Sequence, residues 1–399
     1  MPHPSCFAPP SCSAKPAQRR ARRRLGLLAL LFPLVGCATQ APPRYAAPAY
    51  PSAAAAAAEV PRTRVGLLLP LSGANRPLGQ AMLNAAQLAL FDQADPAIEF
   101  LPRDTASTSA GAAEAARSAL REGARALAGP LTLTETAAAA GPARAANAPM
   151  MAFTSDAAQA GNGVWVLGTT PAEQAERVAN AAAEAGARRF GLLAPDDEFG
   201  RRLAAALRAR LPALGLPPPL VVLHARLGDP GAAARDLAGQ AGSEGLDAVL
   251  LGLGGERAKA AANALATALP VKPRLLGTVL WAQDPVVAQE PALAGAWFPG
   301  ADPATRAGFD QRYQAAFGDR PPRLAGVAYD AAALASRAAR ESQGGAPVSA
   351  MGQPMLGADG PIRLAPDGLA QHGLALFAVD PSGEPRMIQS APIPGAPGS

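Results

Sequence analysis

The sequence predicts an α/β protein with parallel sheets, and three observations lead to this prediction. Short apolar runs alternate with amphipathic stretches from Arg64 to Gly277, as in chains whose buried parallel strands are joined by helices. Hydrophobic residues make up 49% of the 399 residues, which excludes intrinsic disorder for most of the chain. The length predicts two or three folding units rather than one small core.

The first part of this alternation begins with Val65–Leu71, a continuous apolar run typical of a buried strand. A helix is predicted over 78–91, where apolar residues recur at helical spacing. The pattern then predicts strands at 98–101 and 149–153 and helices at 110–122 and 134–146. Ligands of such folds bind where the strands end.

The same rhythm continues through the second part of the chain. Strands are predicted at 190–194, 220–224, 247–251 and 274–277, and helices at 172–185, 199–211, 232–242 and 256–269. Alternation of this kind is typical of parallel sheets with right-handed crossover connections.

The N-terminal segment predicts export. Arg19–Arg24 is basic, and the apolar run of about twelve residues behind it is typical of a secretory signal but too short to span a bilayer. Leu34–Cys37 resembles the bacterial lipobox, in which the cysteine thiol receives a diacylglycerol; the alternative is an ordinary signal peptide with a chance cysteine. We expect a signal peptide over 1–36 and a lipid anchor in the membrane at Cys37. Ala38, where Asp would retain the protein at the inner membrane of some bacteria, favours the periplasmic side of the outer membrane.

Two further segments predict no folded domain. Residues 37–61 are rich in Pro and Ala without hydrophobic periodicity, and an extended polyproline tether of this length reaches about 70 Å at about 3.1 Å per residue. Residues 389–399 are rich in Pro and Gly, which predicts a disordered tail.

The formal net charge of +5 comes from the signal segment. Residues 1–36 hold six basic residues and no acid, so their removal leaves 30 basic and 31 acidic residues. A nearly neutral chain with 5% aromatic residues lacks the basic surface and stacking platforms of nucleic-acid-binding proteins. We expect no nucleic-acid partner.

Residue types needed for catalysis are scarce. Beyond Cys37 there is no cysteine, and only His224 and His372 follow the signal segment, far apart in sequence. No Gly-x-Ser-x-Gly elbow, Walker motif or complete dinucleotide loop occurs, and the acidic triplet 196–198 is typical of helix capping. We therefore expect a protein that is not an enzyme and has no catalytic residue, metal or cofactor.

Several short segments follow the order and spacing of one family. They are Arg64–Gly73, Asp104-Thr105, Gly129-Pro130, Phe190–Gly200 and Ala328–Ala331. Together they resemble the type I periplasmic-binding-protein family, and within it the leucine-binding-like branch, over about residues 62–388. The resemblance implies two Rossmann-like lobes, a Venus flytrap, joined by three crossovers and closing around a ligand.

Mapped onto this chain, the resemblance implies lobe one over 62–170 and 300–365. Lobe two is implied over 171–298 and 366–388.

The same resemblance implies residues that face the ligand cleft. These candidates are Ser72 and Gly73 in the first strand-to-helix turn, Thr132 and Thr134 after Gly129-Pro130, Thr154 and Ser155 after the strand at 149–153, the aromatic Phe199 of lobe two, and Trp281 as the lining of an altered pocket. Relatives hold a carboxylate with the hydroxyls and backbone N–H groups of the second position. The alternative for the Ser and Thr residues is helix capping, and for Trp281 a place in the core.

One departure from the amino-acid-binding relatives bears on function. These relatives carry an acid after the strand matching Arg274–Gly277, to pair with the ligand's ammonium, whereas this chain has Thr278–Trp281 and no acid before Asp284. A buried ammonium without a partner is costly, so a free amino acid is a poor fit.

The lipobox, the spacer and the altered cleft together resemble the LppC family of lipoproteins, the penicillin-binding protein activators. That resemblance implies a non-enzymatic lipoprotein that regulates a peptidoglycan synthase and has a penicillin-binding protein as partner. The alternative is the solute-binding receptor of an ABC transporter, with an amino acid or another small molecule as ligand.

Overall fold

The computed structural model describes residues 62–341, 352–380 and 382–396. The predicted signal peptide, Cys37 and the tether lie outside these residues. The described residues all belong to one compact unit. None of the described helices is both long and apolar enough to cross a membrane.

Lobe one begins with a parallel sheet and its connecting helices. Its elements are β1 (Thr63–Leu69), α1 (Arg76–Gln93), β2 (Ile98–Asp104), α2 (Ser109–Arg121), β3 (Ala124–Ala128), α3 (Leu133–Ala145), β4 (Met150–Ala152) and β5 (Val164–Val166). The strands pair in the order β2-β1-β3-β4-β5, all parallel. Every residue of β1 except Arg64 is buried, as expected for a strand with helices on both faces.

Lobe two repeats this arrangement. Its elements are α4 (Pro171–Glu184), β6 (Phe190–Pro195), α5 (Glu198–Ala213), β7 (Leu220–His224), α6 (Pro230–Ala241), β8 (Ala248–Leu251), α7 (Gly255–Ala268), β9 (Arg274–Leu276), α8 (Pro285–Gln289) and β10 (Trp297–Gly300). These five strands are parallel, in the order β10-β9-β8-β6-β7.

The chain then returns to lobe one and crosses once more to lobe two. The elements are α9 (Pro303–Phe317), α10 (Ala325–Glu341), β11 (Met355–Leu356), β12 (Pro361–Leu364), β13 (Ala370–His372), β14 (Ala375–Ala378) and β15 (Arg386–Gln389). Strands β11 to β13 form a small antiparallel sheet, while β14 and β15 extend the lobe-two sheet antiparallel to β10. The predicted α/β class with two parallel-sheet lobes is confirmed.

Two predicted boundaries differ from the structure. The family resemblance implies that residues 366–372 belong to lobe two, yet β13 pairs with β12 and Ala370 packs in the same core cluster as Val65 of β1. The third crossover therefore lies near 372–375, because an antiparallel hairpin keeps the chain in lobe one. Residue 389, placed in the tail, ends β15 instead, and its side chain accepts a hydrogen bond of 2.9 Å from Nη1 of Arg177.

Gly277 follows β9 where the chain packs tightly, which leads to a prediction. A Cβ at Gly277 would lie 2.2 Å from the Trp281 ring. We expect Gly277→Ala to lower the free energy of unfolding by about 2 kcal/mol through overpacking. Gly239→Ala, on an open face of α6 with nothing within 4 Å, should instead raise it by about 0.5–1 kcal/mol. Urea denaturation of both variants tests this, and equal stabilities would contradict it.

Candidate ligand cleft

A cavity of about 420 Å³ lies between the two lobes. Lobe one lines it with residues that follow β3 and β4, and lobe two with residues of α4, α5 and the turn after β9. The carboxyl ends of parallel strands therefore face the cavity from both sides, which is where open α/β sheets bind ligands. A larger cavity of about 650 Å³ lies elsewhere on lobe two, beside Asp247, Lys272 and Arg274 at the amino ends of strands.

Four of the eight predicted cleft residues line this cavity: Thr132, Thr154, Ser155 and Phe199. Thr132 and Thr154 come together because β3 and β4 are neighbouring parallel strands. Phe199 reaches the cavity from the first turn of α5, and its ring is half-buried.

Thr132 also caps α3. Its Oγ1 accepts the Glu135 backbone N–H at 3.3 Å, and Oε2 of Glu135 accepts the Thr132 backbone N–H at 3.0 Å, which completes a capping box. The same Oγ1 also donates to Oε2 of Glu135 at 2.7 Å. The hydroxyl proton is therefore already used within the protein. Thr134 is exposed and does not line the cavity, so only the first of these two threonines meets the prediction of a cleft position.

Ser72 and Gly73 do not line the cavity either. Ser72 donates from Oγ to Oδ2 of Asp104 at 2.5 Å, and the other oxygen of Asp104 accepts the backbone N–H groups of Leu71, Ser72 and Ala106. Partial burial raises the pKa of Asp104, but these hydrogen bonds outweigh it and hold the pKa below its usual value. This turn thus serves the fold, with Gly73 in a left-handed conformation at φ +76°.

Trp281 belongs to the core of lobe two rather than to the cleft. Its side chain is 2% exposed, and its Nε1 donates to the carbonyl oxygen of Leu253 at 2.6 Å. It packs beside Phe298, with ring centroids 6.4 Å apart. The alternative interpretation of this tryptophan as core is the one the structure supports, since its indole N–H is already bonded.

Among the described residues, lobe two contributes only uncharged side chains to the cleft: Gln174, Phe199, Val279 and Leu280. Gln174 is buried, and its Oε1 accepts the Val279 N–H at 3.1 Å. Asp284, the first acid after β9, does not line the cavity. Its carboxylate accepts the N–H groups of Gly255 at 2.6 Å and of Val286 at 3.1 Å.

Sequence reasoning missed the charged residues that do line the cleft. They are Asp330 at the start of α10, Asp359 and His372 in the small sheet region, and Arg323 before α10. Asp330 lies within Ala328–Ala331, one of the segments that resemble the family. No local pattern places these residues beside the turns after β3 and β4, because they follow at least 160 residues later in the chain.

Asp330 is 5% exposed and has one hydrogen bond, from the Ala358 N–H to Oδ1 at 2.7 Å. Burial raises its pKa to about 7; the charge of Asp359 acts in the same direction, while the Ala358 hydrogen bond, His372 and Arg306 oppose it. The arrangement keeps an acid that is readily protonated near neutral pH at the cleft wall.

Glu173 and His372 form an ion pair between α4 and β13. Oε1 of Glu173 lies 3.0 Å from both the backbone N and Nδ1 of His372. Burial disfavours both charged forms, but the mutual attraction and hydrogen bonds outweigh it, so that the pKa of Glu173 is lowered and that of His372 is raised. The pair ties the first helix of lobe two to the last strand of lobe one.

A second ion pair joins the lobes at the mouth of the cleft. Arg202 of α5 pairs with Asp156, which follows the cleft residue Ser155. Both side chains are less than one quarter exposed, so the attraction is only partly screened by water. Within the described residues, no group of three His, Cys, Asp or Glu side chains is arranged to hold a metal ion.

Two lobes of parallel sheet with a cleft at the strand ends define a clamshell binding protein. The chain matches the family described as periplasmic binding protein over residues 62–384 and belongs to that family. Its relation to the leucine-binding-like branch of the type I proteins is confirmed. A search of curated proteins finds no match.

Solved structures with this fold include proteins of two kinds. A protein of Rhodospirillum rubrum, assigned as a branched-chain amino acid ABC transporter, has a TM-score of 0.70 at 19% identity, covering 82% of this chain and 100% of its own. The C-domain of LpoA from Haemophilus influenzae, described as a regulator of PBP1A, has a TM-score of 0.65 at 17% identity, with 82% and 100% covered. The leucine binding protein LivK of Thermotoga maritima has a TM-score of 0.57 at 18% identity, with 83% and 99% covered.

Proposed function

We propose that this chain is a non-enzymatic, lipid-anchored protein of the bacterial envelope that regulates a peptidoglycan synthase. The observation that carries the proposal is the uncharged lobe-two wall of the cleft: Gln174, Phe199, Val279 and Leu280. An amino acid held as in transport receptors would find no counter-charge on that lobe. Asp284, the first acid after β9, already binds backbone N–H groups.

Two other features support a role outside transport. The hydroxyls of Ser72 and Thr132 donate to Asp104 and Glu135, so they are not free to donate to a ligand carboxylate. LpoA of Haemophilus influenzae, described as a regulator of PBP1A, shares the fold. The predicted lipid at Cys37 and the tether over 38–61 would hold the clamshell at the outer membrane while letting it reach into the periplasm.

The test measures glycan polymerisation by a penicillin-binding protein of the same bacterium, with and without the lipidated chain. We expect a several-fold increase in rate and a crosslink between the two proteins in cells. A Cys37→Ser variant should lose membrane attachment and, in cells, the crosslink. If the purified chain neither binds the synthase nor changes its rate, the proposed regulation is wrong.

A second candidate function is that of an ABC-transporter solute receptor. It is favoured by the interlobe cavity of about 420 Å³ and by the exposed Ser155 side chain at its wall. Melting curves with a panel of free amino acids distinguish the two functions, since a ligand at about 100 times its Kd stabilises the fold by about 2.7 kcal/mol. A clear shift with one amino acid would favour the receptor.

A further inference from the structure

A second cavity, of about 440 Å³, lies behind the interlobe cleft at the hinge. We call it the hinge cavity. It is lined by the crossover residues Gly300, Ala301, Gly373 and Leu374 and is separate from the predicted ligand residues. Both cavities fall within the range of small-molecule sites.

The two cavities share part of their lining. The residues that face both are Thr169, Val279, Arg323, Asp330, Asp359 and His372. A ligand seated at this shared wall can therefore extend into the cleft on one side and into the hinge cavity on the other.

The shared wall presents a carboxylate oxygen with no donor from the described chain. Asp330 is 5% exposed and lines both cavities, and its Oδ2 has no hydrogen bond among the described residues. The neighbouring charges are engaged elsewhere: Arg306 pairs with Asp310 at 2.8 Å and with Asp359 at 2.9 Å, and Nδ1 of His372 bonds Glu173. Because hydrogen bonds between a cationic donor and a carboxylate are stronger than neutral ones, a ligand that supplies a cationic N–H group would be bound favourably.

The other nitrogen of His372, Nε2, also lacks a hydrogen-bond partner in the described chain. Because Glu173 favours the protonated imidazole, this nitrogen is a donor for an oxygen placed next to the ligand's ammonium. Asp330 and His372 together thus match an N–H donor and an adjacent acceptor on one molecule.

The hinge cavity offers an apolar site beside these groups. Phe298 and Phe377 stack there with centroids 5.5 Å apart, and Pro361 and Leu374 complete the wall. The interlobe cleft, in contrast, carries Thr132, Thr154 and Gln174. The apolar part of a ligand is therefore expected in the hinge cavity and a polar part in the cleft.

We propose that the shared wall binds a primary amine whose ammonium contacts Asp330, whose adjacent oxygen accepts from His372, and whose apolar arm fills the hinge cavity. The proposal goes beyond the proposed function and does not depend on a synthase. In this arrangement the charged group of the ligand is bound by a residue of lobe one. Closure of lobe two is then driven by burial of apolar side chains such as Phe199 and Leu280 rather than by a second charge.

The test titrates L-phenylalaninamide by calorimetry into residues 38–399, which retain the whole compact unit to which the described residues belong. N-acetyl-L-phenylalaninamide lacks the ammonium, and glycinamide lacks the arm. We expect L-phenylalaninamide to bind at least tenfold more tightly than either. Equal binding of the acetylated compound, or no binding of any of the three, would overturn the proposal.

Variants locate the two contacts. Asp330→Asn and Ala307→Trp, the latter at an exposed rim position of the hinge cavity, should each weaken binding at least tenfold. Asp310→Asn, a carboxylate in the same cavity that pairs with Arg306, should change it less than twofold. Melting curves show whether each variant is folded. Unchanged affinity in folded Asp330→Asn refutes the ammonium contact, and if that variant does not fold, Ala307→Trp still decides the site.

This outcome is separable from that of the synthase assay. The titration contains no synthase, and the polymerisation assay contains no amine, so either proposal can fail alone. Arg323 is exposed at the rim of both cavities. Its positive charge would favour an anionic ligand over an amine. Tighter binding of 3-phenylpropionate than of L-phenylalaninamide would assign the wall to an anion and overturn the amine.

Discussion

Replacing Glu173 with alanine is expected to lower the free energy of unfolding by about 3–5 kcal/mol, as for other buried pairs that lose one partner. Oε2 of Glu173 accepts the N–H of Thr170 at 2.8 Å and its hydroxyl at 3.1 Å, while Oε1 serves the backbone and ring of His372 at 3.0 Å. Alanine leaves all these donors unpaired at a site where the His372 side chain is 12% exposed. Guanidinium denaturation of the variant and its parent measures the loss.

The pH dependence of this loss follows from the two pKa shifts. The pKa of Glu173 is lowered from 4.5, so its contribution is present above pH 4.5 and is lost as the pH falls through the folded value. The pKa of His372 is raised from 6.5, so its contribution is complete below pH 6.5 and is lost as the pH rises through the folded value. The difference between parent and variant should therefore be largest between pH 4.5 and 6.5.

Glu176 supplies the matched control on the same helix. Its side chain is exposed and forms no ion pair among the described residues, so Glu176→Ala should change stability by less than about 0.5 kcal/mol. If Glu173→Ala were as stable as Glu176→Ala at pH 6, the ion pair between α4 and β13 would have no structural role.

Asp330→Asn is expected to remove a large pH dependence of stability. Burial raises the pKa of Asp330 from 3.8 to about 7. Between these values the folded protein holds a proton that the unfolded chain releases, so stability falls as the pH rises. A shift of this size corresponds to roughly 4 kcal/mol. Asparagine retains an acceptor for the Ala358 N–H and carries no charge, so the variant should be more stable than the parent at pH 8 and similar at pH 4.

Melting temperatures from pH 4 to pH 8 test this expectation. Asp236→Asn, at an exposed position of α6, is the control and should follow the parent at every pH. Parallel curves for Asp330→Asn and the parent would mean that Asp330 is ionised in the fold without cost. The Glu173–His372 pair remains in all three proteins, but the charge of Asp330 helps to raise the pKa of His372, so Asp330→Asn changes the titration of that pair as well.

Part of the candidate site could be predicted because it depends on local order. Thr132 and Thr154 each follow a buried strand, and strands that neighbour each other in a parallel sheet end at one edge. Phe199 opens a helix directly after β6 in the same way. The position of Trp281 could not be predicted from local order, because a turn after a strand can direct a side chain either into the cleft or under the sheet. Here the carbonyl oxygen of Leu253 accepts the indole N–H of Trp281, and the side chain lies in the core.

The α/β class, the succession of strands and helices, and the family order of the turns can all be predicted without a structure. These follow from apolar periodicity and from Gly, Pro and Thr at chain reversals, which act over a few residues. In contrast, the contact between Glu173 and His372, 199 residues apart, and the burial of Asp330 between two cavities are visible only in the folded chain. These long-range contacts depend on three crossovers and on a hairpin that keeps β13 in lobe one. Nothing in the local pattern around either residue specifies its distant partner.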